Sequence, residues 1–179
     1  MKKTSILLLL LSLSMHFVFA NAFSQNIIFQ ENFEKGILSE AWKITSGKWY
    51  VANLQQKEIK PLPGDNNFAL ASAGNAEIII DIPVENIDPE IPLQLSFTYW
   101  VHSKGSRGLA SIVLLNERAN SITSIQFEAL PEKGKWDLFS KEFFLTKDTK
   151  IIRLKFGERA GIWQNTVYFK KVSVSDRRR

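Results

Sequence analysis

Residues 93–102, LQLSFTYWVH, alternate more strictly than any other stretch of the chain, and this pattern limits what they can become. An extended strand sends successive side chains to opposite faces. Leu93, Leu95, Phe97, Tyr99 and Val101 therefore share one face, and Gln94, Ser96, Thr98, Trp100 and His102 share the other. The first face predicts the core of a sheet sandwich. The second is polar apart from one indole, and predicts either a solvated sheet surface or a shallow binding surface.

Shorter segments of the same kind surround it. Extended chain is expected at 26–29, 47–51, 68–72, 76–82, 109–115, 121–129, 136–145, 151–156 and 166–175, separated by Gly, Pro, Asn and Asp. Residues 31–42 and the polar stretch 63–67 read as loops, the latter too polar for a core, and three prolines keep 83–92 out of any central ladder. In 136–145 neither parity is cleanly apolar, which predicts an edge position or a bulge. In 166–175, Val167 and Phe169 share a face that Val172 and Val174 rejoin only if Lys170 and Lys171 absorb a one-residue slip. No segment carries a sustained helical period. The expectation is an all-β, antiparallel β-sandwich of eight to ten strands, in one domain.

Met1-Lys2-Lys3 and the broken apolar run behind it have the charged start and short greasy middle of a secretory signal, too short to span a bilayer. The expected division is a leader at 1–22, with cleavage between 20 and 24, a domain at 26–176 and a basic tail at 177–179, in a secreted or periplasmic protein. The chain has no cysteine, which excludes disulfides, thiolate chemistry and a lipid-anchor thiol. Loss of Lys2 and Lys3 lowers the formal charge from +5 to +3, and Arg177, Arg178 and Arg179 supply three of the remaining positives. Scattered Lys and Arg on a near-neutral body point away from a nucleic-acid partner.

Several short motifs bear a resemblance. Asn32-Phe33-Glu34-Lys35-Gly36, Trp42, Gly47-Lys48-Trp49, the strand around Phe97 to Trp100, Gly134-Lys135-Trp136 and the closing 167–174 (VYFKKVSV) resemble the galactose-binding-like jelly-roll carbohydrate-binding modules of secreted bacterial proteins. They are similar also to MAM-like and adhesin jelly rolls. Each motif is short and built from core-type residues, so it specifies a fold better than a ligand. The resemblance implies a sugar site on one sheet face or at the loop edge, and a structural calcium near the termini. Glu34 matches the family's first calcium element. Lys170 and Lys171 stand where the second element has acidic residues, and ammonium groups cannot ligate a hard cation.

Sugars stack their C–H faces on aromatic rings while amides, carboxylates and guanidinium groups bond the hydroxyls. The residue types in this chain that meet those demands are Trp100, with His102, Gln126, Glu128, Arg153 and Lys155 on neighbouring strands, and Arg159 and Trp163 in a second group at 158–165. Trp100 under a covering loop and Trp163 as a lid on the core are the structural alternatives. Trp42, Trp49 and Trp136 are expected in the core. Catalysis has little to stand on: His102 is the one histidine outside the leader, and Glu117, Glu128, Glu142 and Glu158 are the carboxylates from which a glycosidase-type pair would have to be drawn. The expected function is non-catalytic binding of a polysaccharide, with a protein-binding adhesin-type module as the alternative and a concanavalin-like hydrolase or lyase as the third.

Overall fold

A computed structural model describes residues 26–101, 106–127, 134–160 and 166–177, with the backbone alone at 74–75, 106–109 and 158–160. Residues 1–25, which include the expected leader, and Arg178 and Arg179 lie outside the described residues. The strands are β1 (Ile27–Glu31), β2 (Trp42–Asn53), β3 (Phe68–Pro83), β4 (Leu93–Val101), β5 (Ser106–Leu115), β6 (Ser121–Gln126), β7 (Asp137–Phe143), β8 (Ile151–Ala160) and β9 (Val167–Asp176), with one 3-10 turn at Gln55–Lys57. Among the described residues no helix is long and apolar enough to cross a membrane.

All pairings are antiparallel and follow the order β6-β5-β8-β3-β9-β4-β7, with β1 on β9 and β2 on β3. The sheet curls because β3 belongs to both of its halves. Residues 76–83 of β3 pair with β8, whereas Leu70 and Ala71 pair with Phe169 and Tyr168 of β9. β2 follows the same bend, with register shifts between Ile44 and Lys48 where Gly47 takes a positive φ of 68°. The two strands expected at 68–72 and 76–82 are thus one, and β2 begins at Trp42 inside the stretch expected to be loop. Small residues at 71–74 (ASAG) let β3 pass from one half to the other without side-chain crowding.

The two halves close on a common core. Leu93, Leu95, Phe97, Tyr99 and Val101 of β4 are all buried, as the alternation requires, and face Ile152, Leu154 and Phe156 of β8. Phe97 is the hub. Its ring stacks on Phe139 of β7 at 4.7 Å and meets Phe156 and Phe169 edge-on at 5.2 and 5.6 Å, so it joins strands from both halves. Trp42 and Trp49 are core as expected, packing on Phe156 and Phe169.

The motif 32–36 (NFEKG) owes its residue types to this fold. Phe33 takes a positive φ of 59° and is buried, and Gly36 closes the turn with its N–H on the Phe33 carbonyl at 3.0 Å. A Cβ on Gly36 would lie 3.0 Å from the Phe68 ring, and its φ of 69° suits glycine. The expected slip in β9 is present. Thr98 pairs with Lys170 but Ser96 with Ser173, and Lys171 takes a φ of 51°, so Val172 and Val174 return to the core. β7, which among the described residues pairs with β4 alone, is the expected edge strand.

Trp136 departs from its expected place. It is half-buried in a second, smaller cluster with Tyr168, Ala69, Ala71, Ala52, Leu54 and Ile59, on the outer side of the β3-β9-β4 half. The loop after β2 covers this cluster and is pinned there by the Trp136 indole N–H, which donates to the Lys60 carbonyl at 2.8 Å.

Candidate functional site

Two outer sheet faces are available, and the sequence candidates divide between them. Gln126, Arg153 and Lys155 lie on the β6-β5-β8-β3 half. Trp100 lies on the other half, with its ring edge-on to Tyr168 at 5.6 Å and packed against the small cluster under the loop. The structure therefore does not bring Trp100 together with Gln126, Arg153 and Lys155. Alternation along β4 establishes which way Trp100 points. It says nothing of which strands pair, and pairing places β8 in the opposite layer. His102, Glu128 and Trp163 lie outside the described residues, and of Arg159 only the backbone is described, paired with Arg107.

The β6-β5-β8-β3 face carries a lattice of ion pairs. Asp81 and Arg153 are direct cross-strand partners, with Arg153 Nε 2.6 Å from Oδ1 and Nη2 2.9 Å from Oδ2. Lys43 of β2 approaches the same carboxylate at 3.8 Å. One step along the strands, Lys155 Nζ lies 2.9 Å from Glu77 Oε2, and the Thr45 hydroxyl donates to Glu77 Oε1 at 2.8 Å. The forked Arg153 bonds hold the Asp81 carboxyl below its usual range against the opposing effect of partial burial. Burial pulls Glu77 upward, but the Lys155 and Thr45 hydrogen bonds outweigh it and leave the group lowered.

Beside the Lys155–Glu77 pair the face sinks into an open hollow of about 260 Å³, lined by Glu77, Ser111, Gln126, Lys155 and Gly157, with Ala110, Phe127 and Phe156 behind them. Its origin lies in the register. Gly157 stands opposite Glu77 on one side and Leu109 on the other, and a residue with no side chain at that rung leaves the space unfilled. Ser111 of β5 is the partner of Lys155 on β8 and of Gln126 on β6, so an ammonium, a hydroxyl and an amide are brought side by side in one row. Both members of the Lys155–Glu77 pair remain more than a third exposed. The hollow thus offers donors and acceptors of mixed charge to a polyhydroxylated ligand. Glu77 is the single carboxylate among its lining residues, so the lining holds no carboxylate pair. Glu142, on β7, is ion-paired with Arg177, and Glu117 lies in the β5–β6 turn. Glu77 and Ser111 were not sequence candidates. Strand register alone brings them to Lys155 and Gln126.

A second groove, of about 380 Å³, lies on the opposite face and includes Asn32, Glu34, Asp65, Asn66, Thr98 and Lys171 in its lining. This is the site implied for calcium, and its donors do not fit one. Glu34 is exposed and accepts from Asn32 Nδ2 at 2.6 Å. Asp65 Oδ1 lies 2.5 Å from Lys171 Nζ, and Asp65 Oδ2, buried without a hydrogen-bond partner, lies 3.6 Å from Lys170 Nζ. Lys170 Nζ also donates to the Asn66 carbonyl at 2.5 Å. Both Asp65 oxygens already face ammonium groups, and among the described residues no cluster of three potential metal-binding side chains occurs. The stretch 63–67, expected to be too polar for burial, contributes an Asp65 side chain only 3% exposed, because Lys170, itself 1% exposed, supplies the opposite charge beneath it. Burial lowers the Lys170 ammonium from its usual range, opposed by Asp65.

No family model matches the sequence, and no curated protein matches it. Solved structures do. Tailspike protein 4 of bacteriophage CBA120, in its enzymatically active domain, is similar over 81% of this chain at 13% identity and a TM-score of 0.66; the chain spans 20% of that structure's length. The CBM22-1 xylan-binding domain of Paenibacillus barcinonensis Xyn10C is similar over 88% of this chain and 99% of its own, at 12% identity and a TM-score of 0.63. A cleaved-adhesin domain of Lys-gingipain from Porphyromonas gingivalis is similar over 82% and 96% respectively, at 14% identity and a TM-score of 0.50. The chain thus has the galactose-binding-like jelly-roll fold of carbohydrate-binding modules and adhesin domains, the fold its short sequence motifs resemble.

Proposed function

We propose that this protein is an exported, non-catalytic polysaccharide-binding module, and that its ligand lies along the outer face of β6-β5-β8-β3. The observation that carries this is the convergence of Glu77, Ser111, Gln126 and Lys155, from four adjacent strands, on one open hollow. Hydroxyls of a glycan chain fit that set: Lys155 and Gln126 donate, Glu77 accepts, and Ser111 does either. Arg153 extends the face by one rung; His102, Glu128, Trp163 and the Arg159 side chain remain candidates from the sequence alone. The similar fold of a domain named for xylan binding supports a plant-type polysaccharide as the first probe. Trp100 takes no part, because it packs in the cluster under the loop.

The test is a glycan array on the domain beginning at Asn26, followed by titration of any ligand found against the Lys155→Ala variant. Loss of one charge-assisted hydrogen bond is expected to weaken binding by roughly tenfold or more with little change in melting temperature. Absence of any glycan ligand, or a ligand whose affinity is indifferent to Lys155, Gln126 and Glu77 together, would remove this function. An adhesin-type protein-binding role is the second reading, favoured by two large apolar side chains on the edge strand and just beyond it, Leu138 at 64% and Phe144 at 56% exposure. It predicts a protein partner whose binding glycans do not compete and a Leu138→Lys change abolishes.

A further inference from the structure

Lys170 is the most thoroughly buried charge in the described structure, and its surroundings explain why. Its backbone belongs to the slipped rung of β9, where the Thr98 hydroxyl donates to its carbonyl at 3.3 Å. The side chain points out of the sheet into the 54–67 loop. Its ammonium donates to the Asn66 carbonyl at 2.5 Å, pairs with Asp65 Oδ2 at 3.6 Å, and lies 5.8 Å from the centre of the Trp136 ring. Asn66 in turn donates from Nδ2 to the Asn32 carbonyl at 3.0 Å, so the same loop is tied to the turn that follows β1. Three separate pieces of chain meet at one positive charge, the last strand, the 54–67 loop and Trp136 just before β7, and Asn66 links the turn at 32–36 to them. A carbonyl oxygen, a carboxylate and an aromatic face are the groups with which a protein surrounds a cation.

We propose that the Lys170 ammonium is a covalently tethered cation that does here the structural work of a bound metal ion: it fastens the 54–67 loop and the 32–36 turn to the last strand, and makes the domain independent of calcium. The chemistry favours a tethered charge over a free ion. A metal would have to displace two ammonium groups from Asp65, and the like charge of Lys170 and Lys171 opposes its approach. The one-residue slip at Lys170–Lys171 belongs to the same device. Without it Lys171 would point into the core; with it both ammonium groups face Asp65, one from below and one from the solvent side. The fastened loop also packs over Tyr168 and against Trp100, so the clasp closes the part of this face that surrounds Trp100.

The experiment is thermal melting of the whole domain in calcium, in chelator and in neither, with hydrogen exchange followed over 54–67. A resident calcium site held at a hundredfold its Kd would raise Tm by roughly 5–10 °C. The wild-type protein is expected to melt at one temperature in all three solutions. Lys170→Met is expected to lower Tm and to speed exchange in 54–67 and 32–36 ahead of the rest of the sheet, with calcium giving no rescue. A wild-type Tm that rises with calcium and falls with chelator overturns the proposal, whether or not the variant folds. Unchanged exchange in 54–67 of Lys170→Met overturns it as well.

Discussion

Arg153 grips Asp81 with two parallel hydrogen bonds across the β3–β8 ladder, at 2.6 and 2.9 Å. The consequence is a dependence on acid. Asp81 and Glu77 both hold their carboxyl groups below the ordinary values of 3.8 and 4.5, so the folded chain binds protons less readily than the unfolded one. The stability they contribute is complete above those ordinary values and is lost as pH falls through the lowered ones. Solvent screening keeps each contribution modest, since both groups are partly exposed. Melting followed from pH 6 down to about 2 should show a fall that begins near pH 4.5, and Arg153→Met should flatten it; an identical acid limb in the variant would mean that other carboxylates carry the effect.

At the alkaline end the sign reverses in a different residue. Burial, helped by neighbouring Tyr50, pushes the Tyr168 hydroxyl from 10.0 up to about 12. The folded state keeps this proton after the unfolded state has lost it, so stability is intact below pH 10 and declines between 10 and 12. Tyr168→Phe should lose less stability than wild type over that interval. A wild-type decline that the substitution leaves untouched would place the titration elsewhere.

Phe97 and Trp100 are three positions apart on one strand and should behave differently on truncation. Phe97 is fully buried between the two layers, and Phe97→Ala should cost about 3–5 kcal/mol. Trp100 is half-buried in the small outer cluster, and Trp100→Ala should cost about 1–2 kcal/mol while leaving polysaccharide affinity within about twofold. Denaturant melts give the first comparison and titration the second. A large loss of affinity in Trp100→Ala would return the ligand to the face now assigned to the loop.

Gly157 tests whether the hollow is the site. A Cβ there would meet only the Ala76 carbonyl, at 3.4 Å, which is ordinary contact. Gly157→Leu should therefore fold, fill the hollow beside the Glu77–Lys155 pair, and weaken glycan binding by at least about tenfold. Unchanged affinity in a folded variant would exclude the hollow as the ligand's place.

Much of the fold was determined by sequence alone, because a strand's period of two is local. Alternation in 93–102 established which side chains of β4 enter the core, the parity of Ile152, Leu154 and Phe156 did so for β8, and the mismatch around Lys170 and Lys171 required the slip that β9 shows. Short core-forming motifs were enough to resemble a jelly-roll family. What alternation cannot express is which strand lies beside which. Tertiary structure decided that Trp100 and Lys155 occupy opposite faces, that Ser111 stands between Lys155 and Gln126, and that 68–83 is one bent strand serving both halves of the sheet. It also decided the fate of Asp65 and Lys170. Read singly, each is a charge that belongs in water; only when Lys170 and Asn66, 104 residues apart, are brought together do the Asn66 carbonyl and the neighbouring Asp65 carboxylate make burial of the Lys170 ammonium affordable.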